Sequence, residues 1–161
     1  MKSRTHTWED PTVTLEASGS ATGLELLSAL ARGDLPAPPI MSTLGFDSFA
    51  VGPGWAKFTL TPDEHLYNPI GTVHGGVAAT LLDSAMGCAV HSTLDKGVGY
   101  TTVDLQVSFV RPLTTRTGPV RCEGSIVHVG SRIATAEGRI VDDDGRLYAH
   151  GTTTCLILTR P

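Results

Sequence analysis

The chain has 161 residues and reads as one domain, large enough for a single real core. A net charge of −4 argues against nucleic acid or an anionic membrane as the main partner. No segment reaches the roughly 20 apolar residues that a membrane span needs, and the N-terminus lacks the apolar core of a secretory signal, so a cytoplasmic protein is expected.

Residues 1–22 are polar and rich in Thr and Ser, and are expected to form a loose tail ahead of a single domain spanning 23–161. Gly23 to Arg32 has helical spacing and ends at Gly33, which predicts a short amphipathic helix. Pro36, Pro38 and Pro39 should then make a stiff connection. Two strand-like runs follow, Leu44 to Val51 and Trp55 to Leu60, joined by a Gly52-Pro53-Gly54 hairpin signal. A loop from Thr61 to Gly71 leads to a central helix over about Gly75 to His91. That helix is apolar nearly all round, as a segment buried on most sides would be. Gly76, Thr80, Asp83 and Gly87 share one of its faces, and three of the four are small.

Everything beyond is β. In Thr102 to Val110 the alternation puts Val103, Leu105, Val107 and Phe109 on one face. Val120 to Val129 and Arg132 to Val141 turn at Gly130-Ser131. Asp142 to Gly145 reads as a solvated turn, and Arg146 to Leu158 as the last strand. Short turns between consecutive strands mean an antiparallel sheet, with the apolar helix lying across one face. The fold class is α+β. Cys88, Cys122 and Cys155 lie in apolar runs without metal or disulfide spacing, and are read as small core residues. Neither they nor the histidines suggest a metal site.

The chemistry concentrates between Asn68 and Asp83. His74-Gly75-Gly76 opens the central helix, where backbone N–H groups lack intrahelical partners and the helix dipole favours negative charge. Asp83 is the only charge between His74 and His91. Alone it could equally be a structural carboxylate; beside the His-Gly-Gly start, the catalytic reading is preferred. An oxyanion donor plus one carboxylate suits a thioester, whose carbonyl is electrophilic and whose thiolate leaves with little protonation. No G-x-S-x-G nucleophile elbow is present, which counts against an α/β-hydrolase.

Taken together, the strand hairpin, the N-x-x-G-x-x-H-G-G run, the buried helix with Asp83 and the strand TVDLQVSFVRP resemble the hotdog-fold acyl-CoA thioesterases. The nearest resemblance is to the phenylacetic-acid-pathway and 4-hydroxybenzoyl-CoA thioesterase types, over roughly Leu44 to Leu158. It implies an antiparallel sheet wrapped around one long central helix. It further implies that the Gly75 N–H binds the thioester carbonyl oxygen, and that Asn68 places the thioester or the attacking water. Asp83 from the other subunit would be general base or nucleophile. Thr102, or equally Thr101, would position water, and His74 would orient the loop.

Further substrate-binding candidates are Gly76, Tyr67 and Met86, with Phe46, Phe49 and Trp55 as candidate pocket walls. Arg111, Arg116 and Arg132 could meet coenzyme A phosphates, exposed strand-end arginines being an equal alternative. No cofactor is expected beyond the coenzyme A of the substrate. The expected assembly is a homodimer, paired into a dimer of dimers. Gly75 and Asp83 are eight residues apart, or about 12 Å along a helix axis, too far for one chain to serve one carbonyl with both. The competing readings are a non-catalytic acyl-CoA-binding module and a hydratase or dehydratase on the same fold.

Overall fold

The computed structural model describes residues 1–159. Its organising element is helix α4 (Gly75–His91), which buries Leu81, Leu82, Ala85, Met86, Ala89 and Val90 among others. Four strand regions stand as predicted within a residue or two: β2 (Trp55–Leu60), β4 (Val120–Val129), β5 (Ile133–Asp142) and β6 (Leu147–Thr159). With β1 (Phe46–Gly52) and β3 (Val98–Phe109) they form one antiparallel sheet in the order β1-β2-β4-β5-β6-β3. The α4 helix packs across its inner face, the arrangement that the apolar helix required.

Close packing of α4 on the sheet depends on a row of glycines. Gly124, Gly138 and Gly151 are register partners across β4, β5 and β6. A Cβ on Gly124 would lie 2.5 Å from the Ala85 backbone, and one on Gly138 would lie 3.0 Å from the Met86 side chain. Ala134, Ala136 and Ala149 continue the small inner surface. Buried Ser92, at the end of α4, accepts the Gly54 N–H at 2.8 Å and thereby ties the β1–β2 turn to the helix.

Several expectations need correction. Residues 12–18, inside the expected tail, form helix α1 (Thr12–Ser18), begun by the Asp10 carboxylate accepting the Thr12 N–H. Helix α2 (Gly23–Arg32) is as predicted, with a Thr22–Glu25 capping box and Gly33 in the left-handed conformation. The proline connection instead starts helix α3 (Pro39–Leu44), because proline at the first helical position already has helical φ and needs no N–H partner. Strand β1 accordingly begins at Phe46 rather than Leu44, and β3 begins at Val98 rather than Thr102.

The alternation expected in β3 is broken by a β-bulge between Thr102 and Asp104. The extra residue reverses the facing at this point. Thr102 therefore points to the helix together with Leu105 and Val107, while Val103 is 56% exposed. Asp142 is another correction. It is buried, not solvated: it accepts the Tyr148 hydroxyl at 3.0 Å and the Arg146 N–H at 2.9 Å. Burial alone would raise its pKa, but these donors and the Arg146 charge hold it below the ordinary carboxylate value.

Candidate active site

Asn68 organises the loop before α4. Its Oδ1 accepts the N–H groups of Ile70 and Thr72, and its Nδ2 donates to Thr72 Oγ1 at 2.9 Å. Backbone bonds from Val73 to Leu113 and from His74 to Leu66 tie the loop to the β3–β4 connection and to the single 3-10 turn at Glu64–Leu66. His74 is the N-cap, its Nδ1 accepting the Gly76 N–H at 2.9 Å. The Gly76 N–H is thus already used, and Val77 donates to the His74 carbonyl. Gly75 is left as the N–H with no acceptor among the described residues, at the positive end of a 17-residue helix. A Cβ there would press on the Phe109 ring at 3.1 Å.

Asn68 and Gly75 border a cavity of about 320 Å³ together with Phe109, Arg111 and Tyr148. Arg111 donates to the Leu147 carbonyl at 2.6 Å, which holds its guanidinium at this rim. Arg116 is exposed on the neighbouring loop. Arg132 sits at the opposite end of the sheet: its neighbour Ile133 pairs with Leu156, eight residues along β6 from the Tyr148 that Arg111 adjoins, or about 27 Å. One chain therefore does not bring the three arginines together.

Asp83 borders a different cavity, of about 300 Å³, that shares no lining residue with the first. Its Oδ1 accepts the Thr102 hydroxyl at 2.9 Å, which fixes the carboxylate and leaves Oδ2 for another partner. Thr101 is exposed on the other side of the strand, so Thr102 is the residue beside Asp83. The bulge is what turns it there. Cys88 borders this cavity too, but burial, and then the Asp83 charge, push its thiol up to about 12. Almost no thiolate exists at neutral pH.

Of the expected pocket walls, Phe49 does line the Asp83 cavity. Met86 does not: it is fully buried beneath the helix against Gly138, because its position faces the sheet. Phe46 is likewise core, edge-on to Phe58, and Trp55 lies at the outer sheet surface. Tyr67 bonds through its hydroxyl to Thr115 and borders neither cavity. Tyr100 was missed by sequence reasoning. It lines the Asp83 cavity, and a Cβ on Gly87 would lie 2.6 Å from its hydroxyl. Gly87 on the small-residue face of α4 was the available signal.

Comparisons with known proteins bear on the family and the fold. The family model described as the thioesterase superfamily matches residues 70–149. A provisionally named esterase of Halobacterium salinarum is 47% identical over 107 residues, covering 63% of this chain and 69% of that protein. The 1,4-dihydroxy-2-naphthoyl-CoA hydrolase of Escherichia coli is 26% identical, over 84% of this chain and 94% of its own length. A solved Ralstonia eutropha structure, a phenylacetic acid degradation-related protein provisionally named a thioesterase, superposes with a TM-score of 0.72 at 28% identity. It covers 81% of this chain and 98% of that one. With its antiparallel sheet wrapped on α4, its helix-start N–H and its mid-helix carboxylate, the chain belongs to the thioesterase superfamily and is a hotdog-fold thioester hydrolase.

Proposed function

We propose that the protein hydrolyses an acyl-CoA thioester at a site shared between two copies of the chain. The observation that carries this reading is the separation of Gly75 and Asp83 into two cavities with no common wall. In the shared site, the Gly75 N–H of one copy binds the carbonyl oxygen and stabilises it as it becomes an oxyanion. Asn68 keeps one amide N–H beyond its bond to Thr72 and holds the thioester or the water. Asp83 of the second copy takes a proton from the attacking water through Oδ2, while Thr102 keeps the carboxylate aimed. Water adds to the carbonyl carbon, the C–S bond breaks, the proton on Asp83 passes to the departing sulfur, and the acid and the coenzyme A thiol leave. Arg111, at the rim of the Gly75 cavity, is the arginine best located for the coenzyme A phosphates.

The edge of the sheet at β3 supports this reading. β3 ends the sheet, so one of its backbone edges has no strand beside it among the described residues. Val103, Phe109 and Val110 on and beside it are exposed apolar side chains. A long edge with such residues is a ready surface for a second copy. Asp83→Asn tests the chemistry. The variant should keep its fold and its affinity for acyl-CoA and lose about 10²–10⁴-fold in kcat, read as thiol release. A variant retaining more than half of the activity rules out Asp83 as the base.

A further inference from the structure

Over Asp83 the cavity is roofed by the N-terminal third of the chain, outside the residues that match the family model. Leu27 and Leu30 of α2 and Met41 of α3 share this cavity with Phe49 and Phe58 of the sheet and with Tyr100. The roof is anchored at both ends. The Gly23 N–H donates to the Leu94 carbonyl at 3.0 Å. A Cβ on Gly23 would lie 1.7 Å from the His91 carbonyl oxygen, so the start of α2 rests on the end of α4, backbone to backbone. At the other end, the Arg4 guanidinium donates to the Ser42 and Thr43 carbonyls of α3. Leu26 and Leu27 are buried beneath α2. A segment capped, buried and tied at both ends is a wall of the cavity.

We propose that α2 and α3 form a sieve for the acyl group, with Leu30 and Met41 setting its size. The substrate class is a compact apolar acyl group, a single ring or a medium straight chain. This rests on the thioesterase reading. At about 30 Å³ per water-sized group, the cavity of about 300 Å³ holds on the order of ten. That lies at the low end of the roughly 300–1,000 Å³ of ligand pockets. A long fatty acyl chain exceeds it. An acyl group ending in a second carboxylate is excluded by charge, because Asp83 repels it and the leucine and phenylalanine walls offer it no counter-ion.

The test is a series of acetyl-, hexanoyl-, benzoyl-, succinyl- and lauroyl-CoA, run on wild type, Leu30→Trp, Met41→Ala and Ala31→Trp. Ala31 lies on the exposed rim of the roof, so its variant keeps the test open should Leu30→Trp fail to fold. Wild type should prefer hexanoyl and benzoyl. Each tryptophan should lower the hexanoyl-to-acetyl ratio of kcat/KM about 10-fold or more, since one methylene in an apolar pocket changes discrimination by about 10–200-fold. Met41→Ala should raise lauroyl relative to hexanoyl by a similar factor. Ratios unchanged within twofold in every folded variant, or a wild type that prefers lauroyl or succinyl, would overturn the sieve. Binding of the non-hydrolysable S-hexyl- and S-dodecyl-CoA thioethers separates the two claims. If no acyl-CoA releases thiol but the variants still shift the hexyl-to-dodecyl binding ratio, hydrolysis is wrong and the sieve stands. If that ratio does not move, the sieve is wrong whatever is hydrolysed.

Discussion

His74 shows how one side chain decides which helix-start donor is available. By accepting the Gly76 N–H it caps α4 and leaves the Gly75 N–H for a ligand. His74→Ala should cost roughly 1 kcal/mol in urea unfolding, the usual loss of an N-cap, and His74→Asn should recover much of it. A role as a proton-transfer group would instead make both variants equally inactive. His91 carries a pH dependence of another kind. Burial lowers its pKa below the ordinary 6.5. The folded state therefore binds that proton less readily than the unfolded state. Stability should be full above about pH 6.5 and decline as pH falls from there through the lower folded value. His91→Phe keeps a ring against Tyr100 and should flatten this part of the Tm–pH curve. An unchanged slope would mean that His91 is not its source. Much of this scale was legible in the sequence, since His74, Gly75 and Asp83 stand in one recognisable run. The choice of Thr102 over Thr101 was not, nor was Tyr100, because these depend on a bulge and on the space over Gly87, which are tertiary facts.

Among the elements, α4 and its sheet fit because small residues meet small residues. Gly124→Val should destabilise the protein by at least about 1–3 kcal/mol in denaturant unfolding, because its new Cβ would collide with the Ala85 backbone, which cannot rotate away. Equal stability would show that α4 can lift from the sheet at no cost. The boundaries of α4, β2 and β4 were readable from periodicity and turn residues alone. Three features were not. Residues 12–18 carry too few apolar side chains to signal a helix, and α1 buries none. Pro39 reads as a breaker but sits at the one helical position where proline is favoured. The glycine row crosses three consecutive strands, and only their register aligns Gly124, Gly138 and Gly151.

At the scale of the whole molecule, the central claim is that one chain is half of each site. Asn68 and Gly75 open into one cavity, Asp83 and Thr102 adjoin another, and β3 offers the edge along which a second copy would bring them together. The most direct measurement is complementation between two dead variants. Asn68→Ala and Asp83→Ala homodimers should both be nearly inactive in acyl-CoA hydrolysis. In a hybrid dimer made by co-expression and purified with two tags, one site collects both defects and the other has neither. The account predicts that such hybrids recover about half of the wild-type kcat per dimer, one intact site of two. Hybrids as inactive as their parents would contradict it, and would mean that each site is built within a single chain.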